Sequence, residues 1–274
     1  MIKYGLDSYN KLDISNFLEI RTDTSSKGNQ NKFYKDGHWV KLDFLGYESL
    51  SEVLAYEIIK NSNIPLELQL PYGLGKCTLY NQTYNCCISP NFLNDDEELI
   101  TLHRILVAID GVNYANALNS LDIKSQISKI VDTLTNITSL KDFGCYLTLM
   151  LELDAFTLNE DRHFNNIGII KTKTGYRYMP MFDNGLAFCS DITYTKDLPA
   201  NVLKRKIKSK PFSTSFRNQV SACQELYGKQ LKITLEYDLL KQKLVSVYNY
   251  DKQVLDRVLA LLDMQITSFK NLMI

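Results

Sequence analysis

The sequence predicts an α+β fold of two lobes, a small β-rich N-lobe over residues 1–90 and a larger helical C-lobe over residues 91–274. Three observations point to it. Short strand-like runs broken by turn residues fill the first ninety positions around a single helical segment. Long stretches of helical periodicity fill most of the remainder. Between them, residues 159–188 form a non-helical insert dense in aspartate and asparagine. A cleft between two such lobes is a natural place for a ligand.

Along the chain, Phe17–Arg21 reads as a strand. The polar stretch Thr22–Lys32, with a lone glycine at Gly28, reads as a loop. Lys32-Phe33-Tyr34 and His38–Leu42 form a hairpin that turns at Asp36-Gly37, because an Asp-Gly pair tolerates the positive φ such turns need. A helix begins near Ser49 or Ser51 and runs to about Asn61. Leu50, Val53, Leu54 and Ile58 follow helical spacing, and Asn63-Ile64-Pro65 stops it. Strands around Lys76–Tyr80 and Tyr84–Ser89 lead to Pro90-Asn91-Phe92.

Beyond this point Asp95–Ile109 reads as a helix, since its four leading acids suit a helix N-terminus. Further helices are expected at Ile123–Ile137, Phe143–Phe156, Gly228–Val245 and Lys252–Leu272. Within the insert, a strand over Ile167–Ile170 and another over Tyr176–Phe182 are joined by a Lys-Thr-Gly turn.

Composition narrows the function classes. The 31 basic residues balance the 31 acidic ones, so no global field draws the chain to nucleic acid or to a membrane surface. Cys77, Cys86, Cys87, Cys145, Cys189 and Cys223 form no C-x-x-C pair and no zinc-like set with His38, His103 and His163. Reduced thiols and a cytoplasm-like compartment are therefore expected. The N-terminus MIKYGLDSYNKLD has no signal-peptide core, and no apolar stretch is long enough for a membrane-spanning helix. A soluble protein without a transmembrane segment is the expectation.

The chemistry concentrates in Asn159-Glu160-Asp161-Arg162-His163-Phe164-Asn165-Asn166 and in Asp183-Asn184-Gly185. The hairpin between them would bring Asn166, at the start of one strand, near Asp183, at the end of its partner. Two acids and an amide oxygen suit Mg²⁺, which takes oxygen ligands and keeps phosphates in its shell. Phosphoryl transfer from ATP needs such a set: one group to orient and deprotonate the acceptor, others to hold metal on the phosphates.

D-x-x-x-x-N followed by a strand, a turn, a strand and D-x-G resembles the catalytic and metal loops of protein kinases. The usual His-Arg before the aspartate is replaced by Asp-Arg-His. That form is similar to the phosphoinositide-kinase branch, and Asn-x-Asp-x-His-x-x-Asn is similar to the HipA-like bacterial Ser/Thr kinases. The small size favours the second group, in its short stand-alone form, the cell-translocating Ser/Thr kinases.

The resemblance implies a protein-kinase-like fold, ATP and Mg²⁺ as cofactors, and a protein substrate, with host proteins as substrates if the chain is translocated as a bacterial effector. It implies Asp161 as the base and Asn166 and Asp183 as metal ligands. His163 braces the loop or takes part in catalysis, and Arg162 pairs an acidic or phosphorylated group. Upstream, the phosphate-covering loop is Thr22–Lys32, with Thr24, Ser25, Ser26 and Gly28 as its binding residues. Lys41 takes the place of the phosphate-pairing lysine, with Lys32 and Lys35 as alternatives. Glu52 is its helix carboxylate, with Glu48 and Glu57 competing. The strand end carrying Ser89, Asn91 and Phe92 is the adenine-binding hinge.

Two readings of the acceptor stay open, a protein hydroxyl and a phosphoinositide, and a non-catalytic ATP-binding module is a third. A zinc hydrolase built on Asp161, His163 and Asp183 has too few histidines. The basic run Lys204–Lys210 is either a solvated face or an acceptor-side dock. Autophosphorylation is expected, with Ser25 and Ser26 as candidate positions.

Overall fold

The computed structural model describes residues 1–20 and 31–272. The first elements are β1 (Gly5–Asp13), β2 (Leu18–Ile20), β3 (Lys32–Lys35), β4 (His38–Leu42), α1 (Glu48–Lys60), β5 (Gly73–Leu79) and β6 (Gln82–Pro90). Then follow β7 (Glu98–Thr101), α2 (Leu102–Asp110), α3 (Tyr114–Asn119), α4 (Ile123–Thr138), α5 (Phe143–Thr157), β8 (Gly168–Thr172) and β9 (Gly175–Tyr178). The chain closes with α6 (Ala200–Lys206), α7 (Phe216–Tyr227), α8 (Tyr237–Val245) and α9 (Lys252–Ser268). The fold is α+β, strand-rich at the N-terminal end and helical after it.

The chain divides into two compact units. The first comprises Met1–Phe92, Phe182–Ile207 and Lys232–Ile274, and the second Leu93–Met181 and Lys208–Leu231. The sequence boundary near residue 90 lies two residues before the first of these breaks, while the later segments of the first unit come from the helical part of the chain.

In the first unit the six strands form one sheet in the order β1-β5-β6-β4-β3-β2, with β1 parallel to β5 and the other pairs antiparallel. The hairpin β3–β4 turns where the sequence predicts, with φ of 49° at Asp36 and 75° at Gly37. Alternation along β4 puts Val40 and Leu42 into an apolar cluster with Ile14, Phe33, Cys77, Cys86 and Ile88. It turns Trp39 and Lys41 to the opposite face. Helix α1 touches β1, β4, β5 and β6 and buries Leu50, Val53, Leu54 and Ile58. Its first turn has no cap from Tyr47. Instead Asp43 accepts a 2.7 Å hydrogen bond from the Ser49 amide, and the Glu48 carboxylate gathers the amides of Phe44, Leu45 and Gly46. Helix α9 contacts α6 and α8, and α8 also contacts β1.

In the second unit β7, β8 and β9 form an antiparallel sheet, and α4, α5 and α7 pack on one another. Helix α5 is buried on every side, from Phe143 to Thr157. It approaches α7 closely at Gly144, where a Cβ would lie 2.5 Å from the Tyr227 ring. Among the described residues, no helix is long and apolar enough to cross a membrane.

Three expectations are corrected. Asp95–Ile109 is not one helix: Glu98–Thr101 is strand β7, because Leu99 and Ile100 pair with Ile170 and Ile169 of β8. Its acids serve as ion partners of nearby cations rather than as a helix N-terminus, Asp96 with Lys173, Glu97 with Arg177 and Glu98 with Arg104. The helix expected from Gly228 begins only at Tyr237. Gly228, at φ 76°, caps the end of α7, and the buried Glu152 carboxylate holds the Gln230 and Leu231 amides out of any helix. The strand expected through Phe182 ends at Tyr178. Strand β1 and helices α3, α6 and α7 lie in segments where sequence periodicity predicts no element.

Candidate functional site

In the first unit Lys41 sits mid-strand on β4, opposite Lys32 of β3 and Cys87 of β6. Its side chain is 9% exposed, and its Nζ lies 2.6 Å from Glu52 Oε1 and 3.0 Å from Asp183 Oδ1. The Tyr72 ring is also beneath it, 5.5 Å from centroid to Nζ. Burial opposes the charge on Lys41, but Asp183 and then Glu52 outweigh it and hold the ammonium well above the usual lysine value.

Helix α1 presents three carboxylates, and the structure separates them. Glu52 is fully buried and bridges Lys41 through Oε1 to the Asn184 amide, 2.8 Å from Oε2. Glu48 caps its own helix entry. Glu57 accepts from the Leu6 amide and lies 3.6 Å from Lys243. Of the alternative lysines, Lys32 is the cross-strand neighbour of Lys41 on β3, and Lys35 lies over the Phe17 ring.

The segment Asp183–Cys189 is tied down residue by residue. Ser51 donates to the Ala187 carbonyl, Tyr47 to the Phe188 carbonyl, and Ser190 to the Gly185 carbonyl. Asp183 itself adopts φ 61°, a left-handed conformation that a non-glycine residue keeps only when its surroundings hold it there.

Of the expected hinge, Ser89 is buried on β6 opposite Trp39, and Phe92 packs at a tilt against Phe182 with ring centroids 5.3 Å apart. The Asn91 amide donates to the Gly37 carbonyl at 2.7 Å, and its side chain accepts from the Trp39 indole. Thr24, Ser25, Ser26 and Gly28 lie outside the described residues.

In the second unit the loop after α5 is built on a buried ion pair. Arg162 is fully buried, and its Nε and Nη2 donate to the Asp154 carboxylate at 2.8 and 3.0 Å. Its Nη1 donates to the Asn166 carbonyl at 3.1 Å. Asn159, also fully buried, donates to Asp154 and accepts from the Asp161 amide, while the Asn166 side-chain nitrogen donates to the Asp161 carbonyl. Both ends of the D-x-x-x-x-N motif thus hang on one internal network.

His163 accepts from the Asn165 amide through Nδ1, so its Nε2 carries the proton that faces Asp161 Oδ2 at 3.6 Å. That distance is too long for a hydrogen bond, and it is the Asn165 bond that ties the ring to its own loop. Asp161 Oδ1 instead meets Lys210 Nζ at 2.7 Å.

Asp183 belongs to the first unit, and Asp161 and Asn166 to the second. In the second unit Asn166, its nitrogen committed to Asp161, has an amide oxygen to offer, and in the first unit Asp183 has a carboxylate; each by itself is a donor of the type a hard cation takes. Among the described residues no three His, Cys, Asp or Glu side chains cluster as a metal set. That is compatible with Mg²⁺, which takes only one or two carboxylates from a protein and fills its shell with phosphate and water.

Sequence reasoning missed Asp154, gave Asn159 no role of its own within the motif, and read Lys210 only as part of a basic run. A signal for Asp154 was present, since Glu152 and Asp154 interrupt an otherwise apolar helix, and a buried acid demands a partner.

The chain is similar in structure to a Helicobacter pylori proinflammatory kinase, CtkA. The two share 15% sequence identity, with a TM-score of 0.61, over 94% of this chain and 95% of that one. At that identity the likeness establishes a kinase-like fold. No protein-family model matches the sequence, and no curated protein matches it.

Proposed function

We propose that the chain is an ATP-dependent Ser/Thr protein kinase that transfers the γ-phosphoryl group to protein hydroxyls, its own included. The observation that carries this reading is the meeting of Lys41 with Glu52 and Asp183, residues up to 142 positions apart in the chain and each singled out from sequence for this chemistry. The kinase-like fold supports it.

Each residue then has a task. Lys41 holds the α- and β-phosphates, and Glu52 keeps its ammonium in place. Asp183 and Asn166 would each offer an oxygen to Mg²⁺, which when bound would neutralise phosphate charge. Asp161 orients the acceptor hydroxyl and takes its proton. The Asp154–Arg162 pair holds Asp161 and Asn166 in register. Lys41 starts paired with Asp183 and would exchange part of that contact for phosphate oxygens.

The test is transfer of label from γ-labelled ATP by the wild type, Asp161→Ala and Asp183→Ala, offered generic protein substrates and phosphoinositide vesicles side by side. Both substitutions are expected to abolish transfer to protein, and Asp183→Ala also to weaken Mg²⁺-dependent nucleotide binding. Equal activity in all three would refute the reading, and label in lipid alone would move it to a lipid kinase. Mass spectrometry after incubation with Mg-ATP should find a phosphopeptide, with Thr22–Lys32 the segment to inspect first.

A further inference from the structure

The basic run Lys204–Lys210 does not act as one surface. Lys204 Nζ is bonded to the Met264 carbonyl and the Ser268 hydroxyl of α9, and Arg205 Nε turns back to the Asn201 carbonyl. Lys206 and Lys208 are exposed. Lys210 alone of these reaches Asp161, and it does so from 49 residues downstream.

Its position is built. The Lys210 carbonyl accepts from the side chain of Gln219, which is fully buried on α7. Ser209 closes the loop through its amide to the Thr214 carbonyl and its hydroxyl to the Ser213 carbonyl. Phe212, buried, packs edge-on against Phe164 with ring centroids 5.8 Å apart. Phe164 lies between Asp161 and Asn166. The loop over residues 208–215 therefore grips the catalytic-type loop at two points, one apolar and one ionic.

We infer that Lys210 is a positioning residue for phosphoryl transfer, fixing Asp161 by its Oδ1 so that Oδ2 faces the acceptor. The inference rests on the proposed role of Asp161 as the base. In the step it serves, the acceptor oxygen forms its bond to the γ-phosphorus and its proton passes to Asp161 Oδ2. The bond from that phosphorus to the β–γ bridging oxygen breaks, and its electron pair stays on ADP. A carboxylate pinned at one oxygen loses little orientation on the way to the transition state, and a misplaced one forfeits rate rather than binding.

The test compares wild type, Lys210→Met, Lys210→Arg, Asp161→Asn and the Asp161→Asn/Lys210→Met double variant, using steady-state and single-turnover transfer. Lys210→Met should lower kcat by about 10- to 100-fold with KM for ATP changed less than about twofold, and Lys210→Arg should recover most of the loss. In the Asp161→Asn background Lys210→Met should cost no further rate, whereas a merely structural role would add its penalty again. Without nucleotide, the melting-temperature shift of Lys210→Met should likewise vanish in the Asp161→Asn background. Should Lys210→Met not fold, Lys210→Gln replaces it in every comparison.

An unchanged kcat in Lys210→Met, or a loss confined to KM, would overturn the inference while leaving the kinase reading intact. Wild-type protein without any transfer would overturn the reading on which it rests, and the melting comparison would still report on the pair.

Discussion

Arg162 grips Asp154 through two nitrogens, at 2.8 and 3.0 Å, in a place where neither side chain touches solvent. The pair is the hub from which Asn159, Asp161 and Asn166 are oriented, and it carries the first prediction. Removing one partner leaves a buried, uncompensated charge, so Asp154→Ala should cost about 3–5 kcal/mol of unfolding free energy. The double substitution Asp154→Leu/Arg162→Met should recover most of that stability but not phosphoryl transfer. Denaturant melts and label transfer on the same samples read both halves.

Glu52 and Glu48 lie one helical turn apart on α1 and should fail differently. Glu52→Gln removes the charge that holds Lys41 and should lower transfer by roughly 10- to 100-fold. Glu48→Gln loosens the helix entry at Phe44, Leu45 and Gly46, and should lower the melting temperature with activity nearly kept. Activity and thermal melting of the two variants compare them directly, and matching profiles would show that Glu52 has no special place.

Asp43 supplies a pH signature. Burial pushes its carboxyl up to about 7; the Ser49 hydrogen bonds oppose this, and the nearby Glu48 charge adds to it. A folded-state value above the unfolded one gives stability that is whole below the unfolded value of about 3.9 and is lost as pH rises through about 7. The melting temperature of the wild type should therefore fall across that window relative to Asp43→Asn. Asparagine can still accept from the Ser49 amide through its oxygen, and its amide nitrogen can donate to the Tyr250 hydroxyl oxygen where the aspartate accepts. Burial raises Glu48 as well, so the variant should flatten the slope without erasing it.

At Gly144 the approach of α5 to α7 leaves no room for a side chain. Gly144→Ala should destabilise the protein by about 1–3 kcal/mol through overpacking against Tyr227. Placing it in a Tyr227→Ala background should remove most of that penalty, which a double-mutant cycle on unfolding free energy measures.

Much of the arrangement was legible residue by residue. The Asp36-Gly37 turn, helix α1, the hairpin β8–β9 and the buried helix α5 each follow from patterns contained within a short window. Lys41 and Glu52 were named by the family resemblance with rivals left open, and the structure puts 2.6 Å between them. Strand β7 was not legible, since its apolar residues satisfy helical spacing and only the partner strand β8 decides otherwise. Nor was the end of α7 at Gly228, where a glycine reads equally as a helix start or stop.

Sequence by itself nominated the residues proposed to carry the chemistry, because acids and amides at fixed spacing announce what they can bind and which protons they can take. Tertiary structure alone decided their partners: that Glu52 rather than Glu48 or Glu57 meets Lys41, that Arg162 turns inward to Asp154, and that Lys210 leaves its basic neighbours for Asp161. The reason is physical. A charge drawn out of water must be matched by whichever opposite charge folding brings within about 3 Å, and such neighbours come from distant parts of the chain.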